Sequence, residues 1–378
     1  MKHLLAIILR GTLKLIFRLF PLNKNKIIFN NFNGRGYGCN PKYIAEELRN
    51  RGLDLDIVWI APDTDTSLPE SFRRVTYGGV KQLYEVATAK VIVTNVKNDL
   101  FFIKRKSQLM IETWHGSYTS KKIEKQAPEK LSPEYLRESR KTSAQSDIFL
   151  SNSRALSRCF RDAFWCTCEI LECGFPRNDI FFSPAEPIRQ RVRESLGVPG
   201  DAKLVLYAPT FRDDGATDCY SLDIEGVLQT LCNRGGDWRA IIRLHPNVAE
   251  TASIFTYNES VLNGSVYPDM QELLIASDIL ITDYSSTVFD FAVMNKPSYI
   301  FAPDYVEYQE LRGLTDDFFN MPYKVCRTNA EVLAELALYT DGVGKQAAEK
   351  FMEFYGGVDN GTASKTVADR ILQFMNII

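Results

Sequence analysis

His3, His115 and His245 are the only histidines in this 378-residue chain, and histidine is the side chain whose ordinary pKa best suits proton transfer near neutrality. His115 stands in Trp114-His115-Gly116, directly behind the apolar run 108–113. His245 stands in Arg243-Leu244-His245-Pro246, at the end of the run 239–244. Each half of the chain thus carries one histidine at the carboxyl end of an expected strand, a placement suited to catalysis, with a structural role as the alternative. A third group lies in Asp283-Tyr284-Ser285-Ser286-Thr287, where the apolar run 279–282 gives way to a helix expected over 288–293. Ser285 or Ser286 is a natural N-cap. First-turn N–H groups, the positive end of the helix dipole and three hydroxyls would converge there on a phosphate; a capping turn without ligand is the alternative.

Further polar residues follow other strands. Thr210 and Arg212 come after the run 203–209, and Arg177, Asn178 and Asp179 after the run 169–173. Guanidinium is a planar fork that matches phosphate oxygens, although either arginine reads equally as one half of a salt bridge. Gly34-Arg35-Gly36-Tyr37-Gly38 lies between the first strand and a helix that Asn40 and Pro41 would start. Its spacing is not GxGxxG and no acid stands at a ribose-binding position, which sets NAD aside. A loop for an acceptor phosphate and a tight turn both fit.

These residues need a scaffold that gathers strand ends. β-Branched runs at 26–32, 56–61, 90–95, 108–113, 148–151 and 169–173 alternate with helical patterns such as 41–51, 79–88 and 133–145. The alternation pauses over the proline-rich stretch 174–203 and restarts with runs at 203–209, 239–244, 279–282 and 298–302. Such alternation implies parallel sheets covered by helices. Two doubly wound α/β domains are expected, residues 26–185 and 186–378, with a cleft between them and ligands at the carboxyl ends of strands. The last helix is free to pack back on the first domain.

Composition narrows the class. With 45% hydrophobic and 24% charged residues the chain is globular, and a net charge of −2 gives no field for nucleic acid. Eight irregularly spaced cysteines read as reduced thiols of a cytoplasmic protein. Cys166-Thr-Cys168 with Cys173 invites zinc, but lacks a CxxC pair and any nearby histidine. Residues 1–25 carry no acid, and Arg10, Lys14 and Arg18 share one helical face opposite Phe17, Phe20 and other apolar residues. That pattern suits a helix lying on an anionic membrane at its cytoplasmic face; packing on the protein itself is the alternative. No apolar run is long enough to span a bilayer.

Taken in order, Asn40-Pro41-Lys42, Trp114-His115-Gly116, Ser151-Asn152-Ser153, Gly174-Phe-Pro-Arg177-Asn178-Asp179, Ala208-Pro-Thr-Phe-Arg212, Arg243-Leu-His245-Pro246, Thr282-Asp283-Tyr-Ser285-Ser286 and Asp359-Asn-Gly361-Thr-Ala-Ser364 resemble the CDP-glycerol glycerophosphotransferase family across nearly the whole chain. The resemblance implies a GT-B fold of two Rossmann-like domains, the second holding the donor nucleotide. It implies glycerol-phosphate transfer from CDP-glycerol, or ribitol-phosphate transfer from CDP-ribitol, to a lipid-linked acceptor in teichoic-acid-like or capsular polymer synthesis. Carried over by position, His115 would be the general base and His245 would contact the donor phosphates. Thr210, Arg212, Asp283, Ser285, Ser286 and Thr287 would line the donor site, with Arg177 and Asp179 beside it. Gly34, Arg35, Gly36, Lys121 and Lys122 are assigned to the acceptor side; the last two lie in a segment one residue longer than many members carry. No metal is required, Mg²⁺ assistance being left open. A nucleotide-sugar glycosyltransferase or epimerase, and a silent polymer-assembly protein, are the competing readings.

Overall fold

The computed structural model describes residues 11–13, 15–97, 103–117, 120–212, 215–245, 248 and 254–378. The chain divides into two units, one of Met1–His115, Leu131–Asp179 and Val358–Ile378, the other of Gly116–Lys130 and Ile180–Gly357.

The first unit is built on β1 (Asn23–Asn30), β2 (Asp56–Ile60), β3 (Arg73–Val75), β4 (Ala89–Thr94), β5 (Leu109–Glu112), β6 (Ile148–Ser151) and β7 (Glu169–Glu172), all parallel, in the order β3-β2-β1-β4-β5-β6-β7. Consecutive residues such as Ile27, Ile28 and Phe29 or Val91, Ile92 and Val93 are all buried, because helices cover both faces of a parallel sheet. The strand order reverses between β1 and β4, so the loops after these two strands diverge and leave a crevice at their carboxyl ends.

The second unit repeats the plan with β8 (Lys203–Ala208), β9 (Trp238–Ile242), β10 (Val261–Asn263), β11 (Ile279–Thr282), β12 (Ser298–Phe301) and β13 (Val325–Cys326), again parallel, in the order β10-β9-β8-β11-β12-β13. Val205, Tyr207, Ile279 and Ile281 enter one core cluster while Leu204, Leu206 and Leu280 enter the other, as the two-residue period of a strand requires. Here the order reverses between β8 and β11.

The expected α/β class is found, and β6 and β11 have the expected bounds. Three strands were not foreseen: β3, β10 and β13 have three, three and two residues, too short to show a period, and each is the outermost strand of its sheet. The expected division by sequence also differs. Residues 116–130 belong to the second unit, where Ser120 Oγ donates to the Tyr284 carbonyl (2.8 Å), Thr315 N to Ser120 O (2.9 Å) and Lys122 N to Gly313 O (2.9 Å). The last helix, Ala363–Met375, does pack back on the first unit, as the sequence left open: it buries Val367, Ile371 and Leu372, and Arg51 pairs with its Asp369 at 2.5 Å.

The amino-terminal expectation falls partly outside the described residues, Arg10 and Lys14 included. Residues 11–13 and 15–17 are helical, Pro21 lies beyond the helix, and β1 begins at Asn23. Arg18 is exposed, as are Leu15, Ile16, Leu19 and Phe20, whereas Phe17 and Phe20 meet Tyr84 edge-on at 5.8 and 5.6 Å. Lys26 is not part of a basic surface: it is buried, with Nζ 2.7 Å from Glu85 Oε2 and 2.8 Å from Thr88 Oγ1.

Candidate active site

In the first unit His115 follows β5 and is held at the reversal between β1 and β4. Its Nδ1 lies 2.6 Å from the carbonyl oxygen of Asn95, the residue after β4. A carbonyl only accepts, so Nδ1 carries the proton, and in the neutral form of the ring the lone pair is at Nε2. Phe32, just past β1, meets the imidazole edge-on at 5.1 Å, and Trp114 lies against it at 4.3 Å. Trp114 takes φ +53°, a left-handed conformation that costs a bulky residue about 1–3 kcal/mol. Contacts on both sides hold it: its N–H donates to Glu112 Oε1 (2.9 Å), its carbonyl accepts from Asn40 Nδ2 (3.0 Å), and its ring meets Phe164 at 4.7 Å.

Asn40, noted in the sequence only as a helix-start residue, is a fully buried bridge. Besides the Trp114 carbonyl its Nδ2 reaches Thr113 O (3.3 Å), and its Oδ1 accepts from Arg177 N (3.1 Å). Arg177 in turn donates from Nη1 to the His115 carbonyl at 2.6 Å. It is buried in the first unit and holds the backbone of His115. Asp179 is likewise committed within that unit, accepting from Ala363 N (3.0 Å) and Ser364 N (2.6 Å) at the start of the helix Ala363–Met375. Burial raises its pKa although those N–H groups oppose the shift. Asp359 completes the framework by accepting from Asn152 Nδ2 (2.9 Å) and Phe175 N (2.8 Å).

Gly34, Arg35 and Gly36 follow β1. The loop closes on Asn31, whose Nδ2 donates to the carbonyls of Arg35 (3.1 Å) and Gly36 (3.2 Å). Gly34 has φ +81°, and a Cβ there would come within 3.0 Å of Tyr77 Cβ. The Asn95 amide donates to Asn31 Oδ1 at 2.8 Å, so one side-chain network links this loop to the residue that orients His115.

In the second unit the reversal lies between β8 and β11, and Thr210, Arg212 and Asp283 meet there. Asp283 is buried; Oδ1 accepts from Thr210 N (2.8 Å) and Tyr284 N (2.6 Å), and Oδ2 from Arg212 Nη2 (3.1 Å). Arg212 also donates to both oxygens of Asp304, at 2.7 and 3.0 Å, and lies over the Tyr284 and Tyr308 rings, themselves stacked at 3.8 Å. Burial alone would lower its pKa, but the charges of Asp283 and Asp304 outweigh it, so the guanidinium stays charged. Arg212 therefore ties the ends of β8, β11 and β12 together instead of presenting a fork to a ligand. Thr210 is different: it is 7% exposed and its Oγ1 is buried without a hydrogen-bond partner among the described residues.

Ser285, Ser286 and Thr287 follow. Ser285 Oγ lies 2.8 Å from Thr287 Oγ1 and 3.3 Å from Thr287 N, while Ser286 is the N-cap residue but makes no side-chain cap of the helix Thr287–Ala292. His245, behind β9, is exposed beside Phe211 at 4.4 Å; Pro246 lies outside the described residues. The end of β9 is anchored by Arg243, which donates to Gly264 O (2.8 Å) and Ser265 O (3.1 Å). A Cβ on Gly264 would lie 2.4 Å from Ile241 Cγ2, so no larger residue fits.

Lys121 and Lys122, expected with the acceptor side, are in the second unit: Lys121 bridges to Leu314, and Lys122 packs on Gly313. Among the described residues no three His, Cys, Asp or Glu side chains gather as a metal site, and no helix is long and apolar enough to cross a membrane. The residues missed in the sequence, Asn31, Asn95 and Asp304, all follow strands; the strand-end rule applied to every strand would have found them.

Residues 12–373 match the family model described as CDP-Glycerol:Poly(glycerophosphate) glycerophosphotransferase. A teichoic acid poly(glycerol phosphate) polymerase from Bacillus spizizenii is 30% identical over 377 residues, covering 94% of this chain and 94% of the relative. One from Staphylococcus epidermidis is 31% identical over 91% of this chain, which spans 50% of that relative's length. A structure of the wall teichoic acid polymerase TagF soaked with CDPG superimposes with a TM-score of 0.86 at 27% identity, covering 99% of this chain and 96% of the other. WaaG, a glycosyltransferase involved in lipopolysaccharide biosynthesis, shares the fold alone, at a TM-score of 0.50 and 13% identity over 92% of this chain and 99% of the other.

Proposed function

The chain belongs to the CDP-glycerol:poly(glycerophosphate) glycerophosphotransferase family, and from that premise we propose that it transfers glycerol phosphate from CDP-glycerol to a hydroxyl of a lipid-linked acceptor, releasing CMP. The acceptor oxygen bonds to the β-phosphorus of CDP-glycerol while the bond from that phosphorus to the bridging oxygen of CMP breaks. His115 takes the hydroxyl proton at Nε2, and CMP leaves with the electron pair of the broken bond. The observation that carries this reading is the 2.6 Å contact of His115 Nδ1 with the Asn95 carbonyl, which holds the ring in the tautomer a base needs.

The donor is proposed to lie at the strand reversal of the second unit. Thr210 Oγ1 is a buried hydroxyl that a ligand oxygen would satisfy. Ser285 and Thr287 offer hydroxyls at the start of the next helix, and His245, exposed beside Phe211, is proposed to meet the diphosphate. Positioning and electrostatics supply most of the rate gain in phosphoryl transfer. The exposed Leu15, Leu19 and Arg18 suit contact with an anionic membrane surface, and we place the reaction at its cytoplasmic face.

CMP release from CDP-glycerol and from CDP-ribitol, each with and without a lipid-linked glycerol-phosphate acceptor, tests the reaction. Acceptor-dependent release from CDP-glycerol is expected, and release from CDP-ribitol alone would move the donor to ribitol. Silence with both sinks the proposal. His115→Ala is expected to lower kcat by at least about 10²-fold, and near-normal turnover would remove His115 from its role.

A further inference from the structure

We propose that Cys166 and Cys168 form a dithiol oxidation site, which closes to a disulfide when the protein meets a peroxide. The turn between the helix Arg154–Ala163 and β7 is tight: Trp165 takes φ +51°, and the two sulfurs that follow lie 3.6 Å apart. A disulfide needs roughly 2.05 Å between sulfurs, so closure asks for a movement of about 1.5 Å within a segment of three residues.

The surroundings favour a thiolate. Cys166 is lowered to about 7, chiefly by its hydrogen bond with the Cys168 thiol, which outweighs the opposing effect of burial, with Lys97 and Arg161 adding positive charge. Cys168 is raised correspondingly and keeps its proton. Lys97 is fixed where it acts, donating to the Phe164 carbonyl at 3.0 Å. Cys173, the third cysteine of the stretch, is pushed up to about 12, first by burial and then by Asp179 and Asp359, and stays a thiol. Cys168 is half-buried whereas Cys166 is 8% exposed, so a small oxidant reaches the pair where a bulky reagent does not.

The Cys166 thiolate attacks one oxygen of hydrogen peroxide, the O–O bond breaks and hydroxide leaves, giving a sulfenic acid. The Cys168 thiol attacks that sulfur, the S–S bond forms and the S–O bond breaks with loss of water. Two thiols lose two electrons, and peroxide becomes two waters once hydroxide recovers a proton. The pair adjoins the base-bearing segment, since Phe164 meets Trp114 at 4.7 Å and Trp114 precedes His115.

The test treats the full chain with hydrogen peroxide, blocks remaining thiols, digests after glutamates and aspartates and maps the products by mass. Asp162 separates Cys166 and Cys168 from Cys159, and Glu169 and Glu172 separate them from Cys173, so each pairing gives a distinct product. A loss of 2 Da in the fragment holding Cys166 and Cys168, reversed by dithiothreitol and absent in Cys168→Ser, is expected. Oxidation spread evenly over the cysteines, a link to Cys173, or single-thiol oxidation of Cys166 without the 2 Da loss would overturn the proposal. The wild-type map needs neither a variant nor an activity, so it reads independently of the proposed transfer reaction.

Discussion

Thr210 and Arg212 stand two residues apart at the end of β8, yet their surroundings treat them oppositely. Arg212 meets two carboxylates and two aromatic rings. Removing it leaves Asp283 and Asp304 without their cation, and Arg212→Ala should destabilise the second unit by about 3–5 kcal/mol, measured by denaturant unfolding. Lysine should restore little, because a point charge cannot span both acids. Thr210 buries a hydroxyl that lacks a partner, a loss that only a ligand or water repairs. Thr210→Val keeps the shape and removes the unmet oxygen, so thermal stability should hold or rise while kcat/KM for CDP-glycerol falls about 5–10-fold, one neutral hydrogen bond. Unchanged kinetics would take Thr210 out of the donor site. Both residues were legible as strand-end candidates; that Arg212 is a girder depended on Asp304, ninety-two positions away.

Elements explain the same divergence for Asn40 and Asp179. The helix Cys39–Asn50 brings Asn40 under Thr113 and Trp114, where one amide serves two carbonyls and one N–H. Asn40→Ala should destabilise the protein by about 1–3 kcal/mol, from buried groups left unmet, and should also lower kcat, because the strained turn before His115 loses its brace. Asp179 caps the helix Ala363–Met375 from 184 positions away. Asp179→Ala should cost about 0.5–2 kcal/mol and leave KM for the donor unchanged; a large KM rise with intact stability would return Asp179 to the donor site. The capping partner was invisible in sequence because Thr362, the local N-cap residue, makes no side-chain cap.

At the scale of the molecule, two sheets repeat one strand order, and each reversal carries a set of polar residues: Asn31, Asn95 and His115 in the first, Thr210, Asp283 and Ser285 in the second. In parallel α/β sheets ligands bind at the carboxyl ends of strands beside such a reversal, which is why strand ends recur as the places to look. The amino-terminal residues belong to this scale too. Deleting 1–22 should release the protein from anionic liposomes while sparing activity on a soluble acceptor, and unchanged liposome binding would remove the membrane contact. Periodicity and β-branched runs by themselves determined the α/β class, most strands and the two histidines at strand ends, since those features depend on neighbours a few residues apart. Only the tertiary structure decided the short edge strands β3, β10 and β13, the assignment of residues 116–130 and 358–378, the partner of His115 Nδ1 and the partners of Arg177 and Arg212. Short edge strands draw their stability from a neighbouring strand, and buried charges from carboxylates brought close by folding; neither contact has a local trace in the chain.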